Sequence, residues 1–351
     1  MSEHRVKTVV IIPNWNGRDL LIPCLDSLLT QSERDFTVTV VDNGSTDGSC
    51  ELIRHRYPTV HVIARDRNYG FTGGTNPGMQ DAIAHGAQYV ALLNNDAIAD
   101  QHWLRYLVTT ADQYPQLGCI TSKILQAQEA RTIDSTGDFY SIWGLPFPRG
   151  RDEVDSGQYD TALYQAVFTG SGGASLFRTH MLREIGLFDQ DFFAYYEDVD
   201  LGFRSQLAGW QAAYEPRAVV YHRMHATSAR LPHFMRYHSH KNALYVYHKN
   251  MPARLWWKYL PYFLGGMALM AAHSLRRRQW QPLVQAYGAV LLALPALIRK
   301  RRQIQRRRVV PVARIDALLY HGLPPAHAGI FAKYLGLTQP PPRQVTLGPL
   351  S

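Results

Sequence analysis

TVTVVDNGSTDGS, residues 37–49, changes character at Asp42. Before that point the β-branched run Thr37 to Asp42 has the length and composition of a buried strand; after it come Asn, Gly, Ser and Thr, the residues of a turn. A strand apolar on both faces needs helices on both sides, as in a parallel sheet. Outward from this stretch the same punctuation repeats. TVVIIP (8–13), VHVIA (60–64) and YVALLN (89–94) read as further strands, and residues 18–31, 48–56 and 76–85 as the helices between them. This alternation predicts βαβ units. Each strand runs into a polar end: PNWNG, VDNGSTDGS, RDRNYGFTGG and NNDA. Turn chemistry explains any one such loop, but ligands of open α/β sheets bind outside the carboxyl ends of the strands, so four in succession point to one crevice.

Residues 115–165 lose this regularity around IDSTGDFYSIWGLPFPRG (133–150) and read as a partly ordered insertion over the crevice. Regular structure returns at YQAVFTGSGGASLF (164–177), with a helix over 179–185. FFAYYEDVDLGFR (192–204) then sets Glu197, Asp198 and Asp200 behind two aromatic pairs. A helix starting near Asp198 and ending near Ala208 would bury Val199, Phe203 and Leu207 and project Glu197 and Asp198 from its first turn. Favourable contact with the helix dipole accounts for one or two acids there more easily than for three.

The net charge of +9 conceals a division. Residues 1–229 carry 18 Lys and Arg against 27 Asp and Glu, whereas residues 230–351 carry 19 Lys and Arg and a single acid, Asp316. The expected organisation is an α/β module over 1–229, a basic apolar helical region over 230–325 and a Pro-rich tail over 326–351. Cut near residue 229, the first module is expected to be soluble. In the basic region, YFLGGMALMAA (262–272) and LVQAYGAVLLALPALI (283–298) are each followed by arginine clusters and accompanied by Pro261, Pro282 and Pro295. Both runs fall short of a spanning helix, so helices lying in an anionic membrane interface fit better. Homo-oligomer contacts through the same helices are the competing expectation. Nucleic acid is not expected, because such grooves favour polar and aromatic residues over alanine-leucine runs. The polar start predicts no signal peptide, and three cysteines without metal-ligand spacing favour a reducing compartment.

The chain has no P-loop, no G-x-G-x-x-G after a strand, no H-E-x-x-H and no zinc spacing. Three clusters remain. NND, residues 94–96, ends the fourth strand, where Asp96 can hold a hard divalent cation or Asn95 and Asp96 can cap the next helix. Glu197 and Asp198 stand at the rim of an aromatic pocket, suited to taking a proton from a hydroxyl. His222 and His225 follow a β-rich run, where an imidazole can join a carboxylate on Mn²⁺ or be purely structural.

Taken in order, IPNWNG, VDNGSTDGS, RNYGFTGGTNPG, LLNNDA, TGSGGASLFR, GLFDQDFFAYYEDVDLGFR and VVYH resemble glycosyltransferase family 2, inverting sugar transferases of GT-A fold, over residues 7–227. The branch of bacterial rhamnosyltransferases is the most similar, including its basic, apolar C-terminal region. The resemblance implies a nucleotide-diphospho-sugar transferase fold, a mainly parallel sheet flanked by helices. It also implies that Pro13, Asn16, Asp42, Asn43 and Ser45 surround the base and ribose of a dTDP- or UDP-linked donor. Gly73, Gly74 and Asn76 would approach the donor from the third loop, Asn94 and Asn95 would join them, and Asp96 with His222 would hold Mg²⁺ or Mn²⁺. Asp198 would be the catalytic base, Glu197 would orient the acceptor, and Asp200 would be a supporting acid. The implied acceptor is a lipid-linked or polysaccharide glycan at the inner face of the cell membrane.

The family's D-x-D has Asn94 at its first position here, an amide that can ligate a metal but supplies no charge. Its Q-x-x-R-W of processive synthases is only QLAGW (206–210), which argues for one transfer per encounter. A glycosidase also uses paired carboxylates, and a noncatalytic sugar-binding protein would share the crevice.

Overall fold

The computed structural model describes residues 6–160, 165–223 and 232–325. His225 and the Pro-rich tail lie outside the described residues, as does the expected boundary near 229. The first half alternates as the sequence predicts: β1 (Thr8–Asn14), α1 (Arg18–Leu29), β2 (Phe36–Asp42), α2 (Ser49–Arg56), β3 (His61–Ala64), α3 (Gly70–Ala84) and β4 (Tyr89–Leu93). Next come β5 (Ala97–Ala99), α4 (Trp103–Gln113), β6 (Leu117–Gln126), β7 (Ile133–Ser135), β8 (Asp138–Tyr140) and β9 (Pro146–Pro148). They are followed by β10 (Gln165–Val167), β11 (Ala174–Arg178), α5 (Thr179–Ile185), α6 (Glu197–Leu207) and β12 (Gln211–His222). Four helices close the described chain: α7 (Pro232–Asn250), α8 (Ala253–Arg276), α9 (Gln281–Arg306) and α10 (Val312–Leu318).

The main sheet has the order β10-β12-β6-β11-β4-β1-β2-β3, with β5 on β12 and β7 on β6. β3, β2, β1 and β4 are mutually parallel, and β12 is parallel to β6. β11 runs antiparallel between β4 and β6, and β5, β7 and β10 are antiparallel to their neighbours too, so the sheet is mixed, with a parallel half from β3 to β4. Successive strand residues feed opposite cores, as a sheet covered on both faces requires. Val10, Ile12, Ala91 and Leu93 pack with α1 and α4, while Val9, Ile11, Val90 and Leu92 pack with Met79, Met181 and Phe188 on the other face.

Three expectations are corrected. α3 begins at Gly70, six residues before the expected start at Asn76, because its glycines lower helix propensity by about 1 kcal/mol each yet let it lie close on the sheet. A Cβ on Gly78 would come within 2.9 Å of Ile11. Within the supposed insertion, β6 is a ten-residue interior strand. Its polar residues obscured it: buried Lys123 pairs with Asp155 at 2.9 Å and Asp160 at 2.6 Å, and Ser122 accepts from the Trp103 indole at 2.7 Å. Lastly, Pro261 and Pro295 lie inside continuous helices of 24 and 26 residues. Each proline removes one helical hydrogen bond, and burial of Tyr259, Phe263 and Leu297 in a third core offsets that loss. Among the described residues α9 is the one helix long and apolar enough, by length and composition, to cross a membrane, so that run does not fall short.

That third core joins the two halves of the chain. Tyr140, Phe168, Val199 and Phe203 from the α/β part pack against Ala243, Val246, Tyr247, Phe263 and Ile315 of the C-terminal helices.

Candidate active site

Sheet topology collects the site. β1 and β2 run in register, so Asn14 lies beside Asp42. At the end of β4, the Asn94 N–H donates to Gly173 O at 2.9 Å, which brings the loop before β11 alongside. β12 pairs His222 with Ala97, next to Asp96. The result is a cleft of about 640 Å³.

Of the residues singled out in the sequence, Pro13, Asn43, Asn94, Asn95, Asp96, Glu197, Asp198 and His222 line this cleft. Asn16, Asp42 and Ser45 do not line it; Asp42 is buried, Ser45 half-buried and Asn16 exposed. The Asp42 carboxylate accepts from Asn14 Nδ2 at 3.0 Å and Ser45 N at 2.9 Å, and Ser45 Oγ accepts from Asn16 N at 2.8 Å. Gly73, Gly74 and Asn76 do not form a loop against a ligand. They are buried inside α3, where Asn76 Nδ2 donates to Phe188 O at 2.8 Å.

The far side of the cleft is a line of charge. His222 lies between two aspartates, with Nδ1 at 2.8 Å from Asp134 Oδ2 and Nε2 at 3.1 Å from Asp96 Oδ1. Arg151 pairs with the other Asp134 oxygen at 2.6 Å and also lines the cleft. Burial alone would lower the imidazole pKa, but the two carboxylates outweigh it and raise it to about 9. The chain thus builds a place for positive charge at Asp96. Among the described residues no three His, Cys, Asp or Glu side chains are grouped to hold a metal. A carboxylate, an imidazole and neighbouring amide oxygens still fit Mg²⁺ or Mn²⁺, which keep positions for water and phosphate rather than demanding a full protein cage. Sequence reasoning missed Asp134 and Arg151. The only signal was that both flank or lie in the irregular stretch expected to cover the crevice.

Two acids of α6, Glu197 and Asp198, line the same cleft. Gly172 N donates to Asp198 Oδ2 at 3.0 Å and Val199 N to Oδ1 at 2.8 Å. Burial raises the Asp198 pKa despite these bonds. Glu197 is 6% exposed, its Oε2 has no hydrogen-bond partner, and burial and the charge of Asp198 push its pKa well up. Asp138 is raised to about 7 by burial and by Asp198. Asp200 belongs to another network. Fully buried, it accepts from Arg204 at 2.9 Å and Asn250 at 2.8 Å and pairs with Lys249 at 2.9 Å. The approach to Glu197 is aromatic, lined by Phe71, Phe193, Tyr195 and Phe234.

Residues 4–240 match the family model described as glycosyltransferase like family 2. The chain belongs to that family. This glycosyltransferase is 28% identical over 293 residues to the N-acetylglucosaminyl-diphospho-decaprenol L-rhamnosyltransferase of Mycobacterium tuberculosis, a match covering 75% of this chain and 92% of that protein. It is 33% identical over 186 residues to the poly(ribitol-phosphate) beta-glucosyltransferase of Bacillus spizizenii, covering 51% of this chain and 26% of that one. Among solved structures it is similar to GalNAc-T7 with UDP, GalNAc and Mn²⁺, at a TM-score of 0.59 and 17% identity over 77% of this chain and 52% of that chain. The mannosyltransferase PcManGT of Pyrobaculum calidifontis, in complex with GDP-Man and Mn²⁺, gives 0.52 at 17% identity over 87% and 85%. These likenesses establish the GT-A fold.

Proposed function

We propose that this glycosyltransferase moves one sugar, rhamnose-like, from a dTDP- or UDP-linked donor to a hydroxyl of a lipid-linked or polysaccharide glycan, with inversion at the anomeric carbon. The observation that carries the reading is a single cleft lined by Asp96, His222 and Asp198 together. Asp198 accepts the proton of the acceptor hydroxyl as that oxygen attacks from the face opposite the leaving diphosphate. Its raised pKa makes it a stronger base than an ordinary aspartate, while the Gly172 and Val199 amides fix its direction. Glu197, which lines the cleft and whose buried Oε2 lacks a hydrogen-bond partner, orients a second acceptor hydroxyl. Asp96 and His222 would hold Mg²⁺ or Mn²⁺, which would stabilise charge developing on the diphosphate. Asp134 orients His222 from behind, and the Arg151 guanidinium faces the same developing charge.

The mycobacterial relative's acceptor, by its name a diphospho-decaprenol, supports a lipid-linked acceptor. So does the outer face of α8 and α9. Trp257, Val284, Leu291 and Leu292 are 69%, 62%, 70% and 87% exposed, and the exposed Arg276, Arg277, Arg278, Arg299, Arg302 and Arg306 flank them. The opposite face of α9 is tied to the body by Lys300 on Asp191, Arg301 on His248 O and Gln305 on Asn250 O. A helix so fastened along one side suits a membrane surface better than a crossing, which supports a peripheral enzyme at the inner face.

Nucleoside diphosphate release, measured over a panel of nucleotide sugars with Mn²⁺, with and without a lipid-diphosphate sugar, tests the reading. Acceptor-dependent release from a dTDP- or UDP-sugar is expected. Release that no acceptor accelerates would point to hydrolysis, and no release at all to a binding protein.

A further inference from the structure

The segment joining α5 to α6 holds an improbable backbone. Phe193, Tyr195 and Tyr196 all have positive φ, at 65°, 68° and 70°. Phe193, with ψ −62°, sits at the centre of a tight three-residue turn closed by Ala194 N donating to Phe192 O at 2.8 Å. For aromatic side chains such angles are strained and persist only where the surroundings over-determine them. Immediately after these residues come Glu197 and Asp198, so whatever holds the turn also aims the two carboxylates.

The holding groups come from α7, in the C-terminal region. Asn242 is fully buried, and the two hydrogens of its Nδ2 are shared among three carbonyls of the segment: Phe192 O at 3.1 Å, Ala194 O at 2.8 Å and Tyr195 O at 2.7 Å. His238 Nδ1 lies 3.1 Å from Phe192 O, and Lys241 Nζ donates to Asp191 O at 2.6 Å. On the other side, Thr72 N at the start of α3 donates to Phe193 O at 3.2 Å. One amide reaching three carbonyls requires them to converge on a single point, as they do on this backbone path.

We propose that Asn242 is a positioning residue that locks the Phe192–Tyr196 segment in its strained path and thereby aims Asp198 and Glu197 at the acceptor. This rests on the reading of Asp198 as the base. The C-terminal helices are then part of the catalytic architecture and not only an attachment to the membrane. The donor side does not depend on Asn242, since Pro13, Asn43 and Asn94 to Asp96 are placed by β1, β2 and β4.

The test is a separation of turnover from nucleotide binding in the full chain. Asn242→Ala removes the amide's contacts with all three carbonyls, and a misplacement on the order of 1 Å costs about 100-fold. The expected result is a kcat lower by about that factor, with UDP or dTDP affinity in Mn²⁺, read by calorimetry, within about twofold of wild type. Asn242→Ser, which keeps a short donor in the same space, should recover part of kcat. A kcat near wild type for a folded Asn242→Ala overturns the proposal, and so does parallel loss of kcat and nucleotide affinity. If neither variant folds, hydrogen exchange on the wild-type enzyme decides: the Phe193, Ala194 and Asp200 amides must be protected without substrate, and free exchange there overturns it. Asp198→Asn run beside them separates the two ideas. Full turnover in Asp198→Asn would sink the base assignment, whereas an inactive Asp198→Asn with an unaffected Asn242→Ala would sink only the lock.

Discussion

At the scale of single residues, the acids behave differently although they are neighbours in sequence. Asp198 faces the cleft with its pKa raised by burial, while Asp200, two residues on, is held below the usual aspartate range because Lys249 and Arg204 outweigh burial. A base must be deprotonated to act, so a raised pKa moves the acidic limb of kcat/KM upward from the ordinary aspartate value of about 3.9. A pH profile of sugar transfer should show that limb above it; a limb at or below it would contradict the burial. Asp134 has no place in the sequence motifs, yet it hydrogen-bonds His222. Asp134→Ala should weaken Mn²⁺ binding, titrated calorimetrically with nucleotide present, by about 10- to 100-fold, and unchanged affinity would contradict its orienting role. Asp96 and Asp198 were legible because each sits in a short motif at the end of an element. Asp134 was not, because its partner His222 lies far away in the chain, and Arg151 was not, because it joins the site only through Asp134.

Among elements, α6 shows what local pattern reveals and what it hides. Its start and its Val199–Phe203–Leu207 face follow from spacing, but Asp200, Arg204 and Gln206 are buried too: Asp200 is bound by Lys249 and Asn250 of α7, Arg204 by the carbonyls of Ile185 to Leu187, and Gln206 by the Phe168 carbonyl. Asp200→Ala would strand part of the charge on buried Lys249 and should cost about 3–5 kcal/mol in denaturant unfolding; a cost below about 1 kcal/mol would contradict this network. Asp189, held by Lys249 and Lys300, is likewise lowered. Because both carboxylates are lowered on folding, their contribution is complete above the unfolded aspartate pKa of about 4 and is lost as the pH falls below it. Thermal stability should therefore hold steady above that point and drop beneath it. The strands β1 to β4 were readable from their β-branched runs. β6 and α3 were not, since a lysine paired with distant aspartates and a helix rich in glycine make sense only against neighbours that the local sequence does not show.

In the whole molecule, the charge division between the two halves is real in the sequence but does not describe how the chain is packed. The third core is shared, so a chain cut near residue 229 would expose Phe168, Phe192, Val199 and Phe203. It should aggregate or lose cooperative unfolding rather than become the soluble module that composition suggests; a monodisperse, cooperatively folded fragment would contradict this. Leu291→Glu with Leu292→Glu tests the outer face without touching the core. Sedimentation with anionic vesicles should fall sharply while transfer to a soluble acceptor analogue stays intact, and unaltered sedimentation would argue against attachment through α9. The account stands on Asp198 facing a donor held across one cleft. The most direct measurement is Asp198→Asn in the full chain, assayed for sugar transfer and for nucleotide binding with Mn²⁺. Transfer should fall by several orders of magnitude, about 10²–10⁴-fold or more, with nucleotide affinity unchanged, whereas turnover within a few-fold of wild type would contradict it.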